Sequence, residues 1–297
     1  NVPEINISGK NIVSIDGVQY LKGLRILSCY SNNITSITSL PRNLLELHAF
    51  SNKLTSLSGL PNSLKTLSCD INQLTTLPTL PTALTVLSCK NNQLTSLPSL
   101  PNLITLNCFS NKITALPSLP NSLVDITCSF NKLTMLPSLP TMLKGLSCSN
   151  NQLTILPALP DSLISLNCSN NQLTVLPTLS NTITYLHCGT NRLTSLPTLP
   201  ALLTELLCYQ NRITTIPVLP NSLKILYSNS NPISVLPALP TALEELYCYY
   251  NQLSVLPELP NSLKVLYCSD NNLNSIMSLP TSLKSIYCQN NQLTALP

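Results

Sequence analysis

The cysteines are the first place to look for chemistry in this chain of 297 residues, because 12 of them recur at a near-constant interval. They are Cys29, Cys69, Cys89, Cys108, Cys128, Cys148, Cys168, Cys188, Cys208, Cys248, Cys268 and Cys288, with Ala49 and Ser228 in the two gaps. A nucleophile would be one thiol set apart by a neighbouring base. These are all alike, and a slot that accepts Cys, Ala or Ser asks for a small buried group. Disulfides along the column are disfavoured, since parallel Cβ vectors hold those atoms farther apart than the usual ~3.8 Å. Zinc needs a tetrahedral ligand set, and neither a CxxC pair nor paired histidines accompany the column. No metal and no cofactor is expected.

Acid–base chemistry finds no better footing. Only His48 and His187 titrate near neutral pH, and they stand seven repeats apart, roughly 34 Å at ~4.8 Å per strand. Glu244 and Glu245 are adjacent, but neighbours on a strand face opposite ways. With 6 glycines in the chain, no Gly-rich phosphate loop occurs. The expectation is a protein without catalytic residues.

The sharper signal is aromatic. The slot just before each cysteine reads Ser28, His48, Ser68, Ser88, Asn107, Thr127, Ser147, Asn167, His187, Leu207, Tyr227, Tyr247, Tyr267 and Tyr287. Small polar groups give way to four consecutive tyrosines. Tyr185, Tyr209, Tyr249 and Tyr250 occupy nearby slots, so eight of the 10 tyrosines fall in the C-terminal half. Tyrosine offers a large contact area with little rotamer entropy and a hydroxyl that tolerates water, which suits a recognition surface. The plain alternative is a ladder of rings that only stabilises the sheet across strands ~4.8 Å apart. A smaller patch, Tyr30, Phe50, Phe109 and Phe130, lies nearer the start, and Glu205, Glu244, Glu245, Lys224, Lys264 and Lys284 could rim the tyrosines with mixed charge.

Composition narrows the classes of function. Charged residues are 9% and hydrophobic ones 43%, so despite 25 prolines the chain has enough apolar material for a core. The net charge of +4 is thinly spread, without the run of Lys and Arg that nucleic acid or an anionic membrane surface would require. No stretch of ~18 apolar residues is present to span a bilayer. The sequence begins at Asn1 with neither an initiator Met nor a signal peptide there, so a mature chain or fragment is expected.

What positions these side chains is a repeat of 20 residues, LxxLxCxxNxL followed by an arm of the form LPxLPxSL. Its first leucine slot is filled at Leu24, Leu44, Leu64, Leu84, Leu103, Leu123, Leu143, Leu163, Ile183, Leu203, Leu223, Leu243, Leu263 and Leu283, fourteen repeats with one step of 19. A partial copy in residues 1–23 joins by a 22-residue step and forms a divergent edge. Alternation such as Leu266 and Cys268 predicts one three-residue strand per repeat. Strands that always run the same way make a parallel sheet. The arm prolines, Pro137 and Pro140 for example, fix φ and remove donors, which favours extended polyproline geometry over helix. The asparagine of each repeat, from Asn32 to Asn291, reads as a buried amide ladder that satisfies backbone groups where the strand bends away.

The unit LxxLxCxxNxLTxLPxLPxS resembles the leucine-rich repeat, and its length with the LPxLP arm is similar to the short class of YopM-type and IpaH-type bacterial effectors. The cysteine in LYCSDNNL and the opening INISGKNIVSIDGVQYLKGLRIL are closer to secreted or surface leucine-rich repeat proteins of the Bacteroidetes type. The resemblance implies a β-solenoid horseshoe with a parallel concave sheet, extended convex arms and little or no α-helix, in a single domain over 1–297. The tyrosine row on that face leads to the expectation of a non-enzymatic scaffold that binds a protein on its concave face, with glycan binding by the same row as the alternative. The resemblance also implies a secreted or cell-surface location, or delivery into a host cytosol. Because the last repeat breaks off at TALP, either further residues or end-to-end self-association is expected.

Overall fold

The computed structural model describes residues 2–295. They form two compact units, divided between Gln152 and Leu153. In the first unit eight short strands run parallel: Glu4–Asn6, Ile26–Ser28, Glu46–His48, Thr66–Ser68, Val86–Ser88, Thr105–Asn107, Asp125–Thr127 and Gly145–Ser147. Equal slots face each other, Leu27 beside Leu47 and Leu47 beside Leu67. The register survives both irregular steps, since Ile5 pairs with Leu27 and Val86 with Thr105. In the second unit seven strands do the same: Ser165–Asn167, Tyr185–His187, Glu205–Leu207, Ile225–Tyr227, Glu245–Tyr247, Val265–Tyr267 and Ser285–Tyr287. The fold is a parallel β-solenoid with one strand per coil. Helix among the described residues is a single 3-10 turn, Val18–Tyr20.

The inward slots explain why the coils stack. Leu64, Leu67, Cys69 and Leu74 in the first unit, like Leu263, Leu266, Cys268 and Leu273 in the second, are wholly buried. Each coil therefore covers the apolar edge of its neighbour, the condition for a repeat that cannot close a core alone.

Past each strand the backbone enters the left-handed region. Fifteen non-glycine residues have φ between 50° and 59°, and Asn, Ser and Asp, which tolerate this conformation, hold most of these places. The ladder asparagine comes next in the chain. Asn131 donates from Nδ2 to the carbonyls of Cys108 and Cys128 at 2.9 and 3.1 Å, and its Oδ1 accepts the Ile113 N–H at 3.0 Å. Asn231 repeats this in the second unit, with Cys208, Ser228 and Ile213. Each amide so ties its own coil to the preceding one. Asn32, Asn131, Asn231 and Asn271 are buried as expected, while the other ten are half-buried.

A second polar ladder escaped sequence reasoning. The arm serine of LPxSL donates from Oγ to the leucine carbonyl one coil earlier, as in Ser63 to Leu44 at 2.7 Å and Ser262 to Leu243 at 2.6 Å. The arms are largely without regular structure, with one exception. Ser36–Ile37 and Ser56–Leu57 pair as a small parallel sheet. Thr38 and Ser58 stand there where the later coils, Met277 excepted, have proline, so an N–H remains, and Ser58 donates it to the Ile37 carbonyl at 2.9 Å.

Candidate functional site

The register of the second unit places Tyr227 beside Tyr247, Tyr247 beside Tyr267 and Tyr267 beside Tyr287. Their side chains leave the sheet on the side opposite the buried leucines and cysteines. The rings follow the strand spacing, with centroids 4.0, 4.7 and 4.2 Å apart and interplanar angles of 41°, 17° and 19°. Tyr267 is thus stacked between two rings, while Tyr247 stacks on Tyr267 and lies tilted against Tyr227. Tyr227, Tyr247 and Tyr267 are half-buried and Tyr287 is exposed. Tyr227 Oη donates to Glu245 Oε2 at 3.4 Å. Burial, then the Tyr247 hydroxyl and the Glu245 carboxylate, hold the Tyr227 phenol well above its ordinary value. The hydrogen bond with Tyr287 raises Tyr267 likewise. Tyr227 and Tyr267 therefore present neutral hydroxyls, not phenolates, at physiological pH.

Other tyrosines of the predicted set form smaller groups. Tyr185 meets His187 edge to face with centroids 6.5 Å apart, and Tyr209 Oη lies 3.1 Å from His187 Nε2. Gly189 makes that approach possible: a Cβ there would come within 2.9 Å of the Tyr209 ring. Burial pushes the His187 imidazole below its ordinary value, so it is neutral and a hydrogen-bonding group here. Tyr249 and Tyr250 pack against each other in the turn after their strand, 5.6 Å apart, with Tyr250 in the left-handed conformation at φ 52°.

The first unit shows a different face. In the slot of the tyrosine row it carries hydroxyls, amides and His48, whose Nε2 lies 3.3 Å from Glu46 Oε2. The small aromatic patch resolves into two pairs, Tyr30 stacked on Phe50 at 4.3 Å and Phe109 tilted against Phe130 at 5.0 Å. Between them sits a group that sequence reasoning did not single out. Asp70 is buried, and its carboxylate accepts from Ser88 Oγ at 2.6 Å, the Lys90 N–H at 2.8 Å and Ser68 Oγ at 3.3 Å. The same slot in a later coil holds Ser129, whose Oγ accepts the Ser149 N–H at 3.0 Å. Asp70 therefore serves the backbone of the next strand rather than a ligand.

The cysteines are free, and all except the half-buried Cys288 are buried. Desolvation pushes the thiols of Cys29, Cys128, Cys168, Cys208 and Cys268 up to about 12. Thiols held neutral make poor nucleophiles and poor metal ligands. A recess of about 490 Å³ lies among the arms, lined by Ala238, Leu239, Thr241, Pro257, Glu258 and Leu259, away from the strand residues. No described helix is long and apolar enough to cross a membrane.

Residues 82–121 match the family model for leucine rich repeats in two copies. No curated protein matches the sequence. Among solved structures, YopM of Yersinia pestis, a leucine-rich effector protein, is 37% identical, with 90% of this chain and 78% of that chain covered at a TM-score of 0.84. YopM of Yersinia enterocolitica is 34% identical, over 93% of this chain and 71% of its own, with a TM-score of 0.84. The functional domain of InlJ from Listeria monocytogenes, which includes a cysteine ladder, is 30% identical over 97% and 68% of the two chains, with a TM-score of 0.83. Shared coil, shared columns and this degree of identity lead to one conclusion: the chain belongs to the leucine-rich repeat proteins, in the YopM-like bacterial class.

Proposed function

We propose that this chain is a non-enzymatic scaffold that binds another protein on the strand face of its second unit, with Tyr227, Tyr247, Tyr267 and Tyr287 as anchors. Tyr185, Tyr209, Tyr249 and Tyr250 extend the same surface. The observation that carries the reading is the aligned row itself, four rings in register on the side of the sheet away from the core, none of them fully buried. Stacking lowers the entropy a partner would otherwise have to remove from these side chains, and preorganised aromatics are what binding hot spots use. Kinship with a leucine-rich effector protein supports a role outside the producing cell, secreted or on its surface.

Glycan binding fits the row less well. A sugar stacks on the face of an aromatic ring, and Tyr267 is stacked on both sides while Tyr247 has Tyr267 stacked on one side and Tyr227 tilted against the other. Tyr247→Ala and Tyr267→Ala should each weaken a partner captured from the native source by about 2 kcal/mol or more while circular dichroism is unchanged. Equal capture by wild type and both variants would remove the assignment, and strong signals on a glycan array would revive the sugar reading.

A further inference from the structure

The strand residues carry charge of one sign. Glu4, Glu46 and Asp125 in the first unit and Glu205 and Glu245 in the second are acidic, and no strand residue in either unit is Lys or Arg. The chain as a whole leans the other way, with 15 basic side chains against 11 acidic. Basic residues are thus absent from the strand positions themselves and stand only beside them.

In the second unit this bias meets the tyrosines. Glu205 pairs in register with Ile225, and Ile225 with Glu245, so the two carboxylates stand in one row, two strands apart, about 10 Å at ~4.8 Å per strand. Tyr185 is the register partner of Glu205 on the other side, and Tyr227 reaches Glu245 through its hydroxyl. Neither glutamate is neutralised from within. The ion pairs among the described residues are His48–Glu46 and Lys264–Glu244, and Lys224, Lys264 and Lys284 lie one residue ahead of the strands. Both Glu205 and Glu245 are half-buried, where a charge is less screened than in open solvent.

We propose that the partner segment recognised by this face is basic, a polypeptide presenting two Lys or Arg side chains about 10 Å apart to Glu205 and Glu245. The inference rests on the reading of the face as a protein-binding surface and adds the partner's chemistry to it. Arginine forks onto a carboxylate through two parallel N–H bonds, and the phenol oxygens beside each glutamate accept the donors left over. The aliphatic stem of such a side chain lies against the ring edges. A polyanion would meet unpaired carboxylates and be repelled.

Fluorescently labelled octa-arginine, with octa-glutamate and a Gly-Ser octapeptide as controls, tests this by anisotropy at low and high salt. Octa-arginine should bind in a salt-sensitive manner and the controls should not. The double variant Glu205→Gln with Glu245→Gln should lose about tenfold or more in affinity. Asp161→Asn with Glu258→Gln, which removes the same charge away from the strands, should change it less than about twofold. Equal loss in the two double variants, or no loss in the first, overturns the proposal. If the glutamate variant still captures the native partner fully while Tyr247→Ala does not, the binding face stands and the basic partner falls.

Discussion

The two units share an interior and differ outside. In both, leucine and cysteine slots are wholly buried and each ladder asparagine bonds across to the coil before it. In the slot of the tyrosine row the first unit shows hydroxyls, amides and His48, and the unit as a whole has ten Lys and Arg against five Asp and Glu, a net of +5. The second shows the tyrosine row, with five basic and six acidic residues, a net of −1. Packing and hydrogen bonding dictate the inward slots of every coil alike. Only the outward slots are at liberty to differ, so the difference between the units is where information about partners resides.

The harshest way to test the shared interior is alkali. Thiols in both units are raised by burial to about 12, Cys128 in the first and Cys208 in the second among them. A raised pKa means that the neutral thiol is favoured in the fold, so its contribution is complete below the ordinary thiol range near ~9 and is lost as pH climbs toward the folded value. The denaturation midpoint should fall steeply between those limits, and Cys128→Ala and Cys208→Ala should reduce the slope by similar amounts. A slope that responds to only one of them would mean that the interiors are not equivalent.

A milder probe is the amide ladder. Asn131→Ala and Asn231→Ala each strip partners from buried carbonyls and an N–H, and each should cost about 1–3 kcal/mol in urea unfolding. An unchanged midpoint for either would contradict the ladder's role. The smallest effect should separate the exteriors. Removal of one ring from the stack by Tyr247→Ala should cost about 0.5–1.5 kcal/mol, against less than about 0.5 kcal/mol for Thr127→Ala in the corresponding slot of the first unit. Equal losses would show that the rings add nothing to stability and serve contact alone.

The columns of Leu, Cys and Asn were legible because inward slots repeat the same demand in each coil. The strand length, the parallel order and the buried thiols followed from them. The tyrosine row was legible as a row, yet whether its rings stack or stand free depends on side-chain rotation, which the order of residues does not specify. The left-handed turn was hidden for another reason. Asn91 and Ser110 announce it, but Ile71, Phe130 and Tyr250 adopt the same φ against their own preference, held there by the coil around them. Asp70 could not be singled out from the sequence, because nothing in its neighbourhood of the chain points to Ser88, a coil away.

The coil of 19 residues carries a lesson about growth. Between Asn92 and Asn111 the chain is one residue short, yet Val86 still meets Thr105 and the Asn111 Oδ1 still accepts the Leu94 N–H at 3.0 Å. Length is absorbed in the arm, and what must be conserved is the strand and its turn. Gene duplication or an engineer could therefore splice whole coils in or out, with arms of uneven size, and extend the reach of the tyrosine row in steps of one strand without orphaning a single amide.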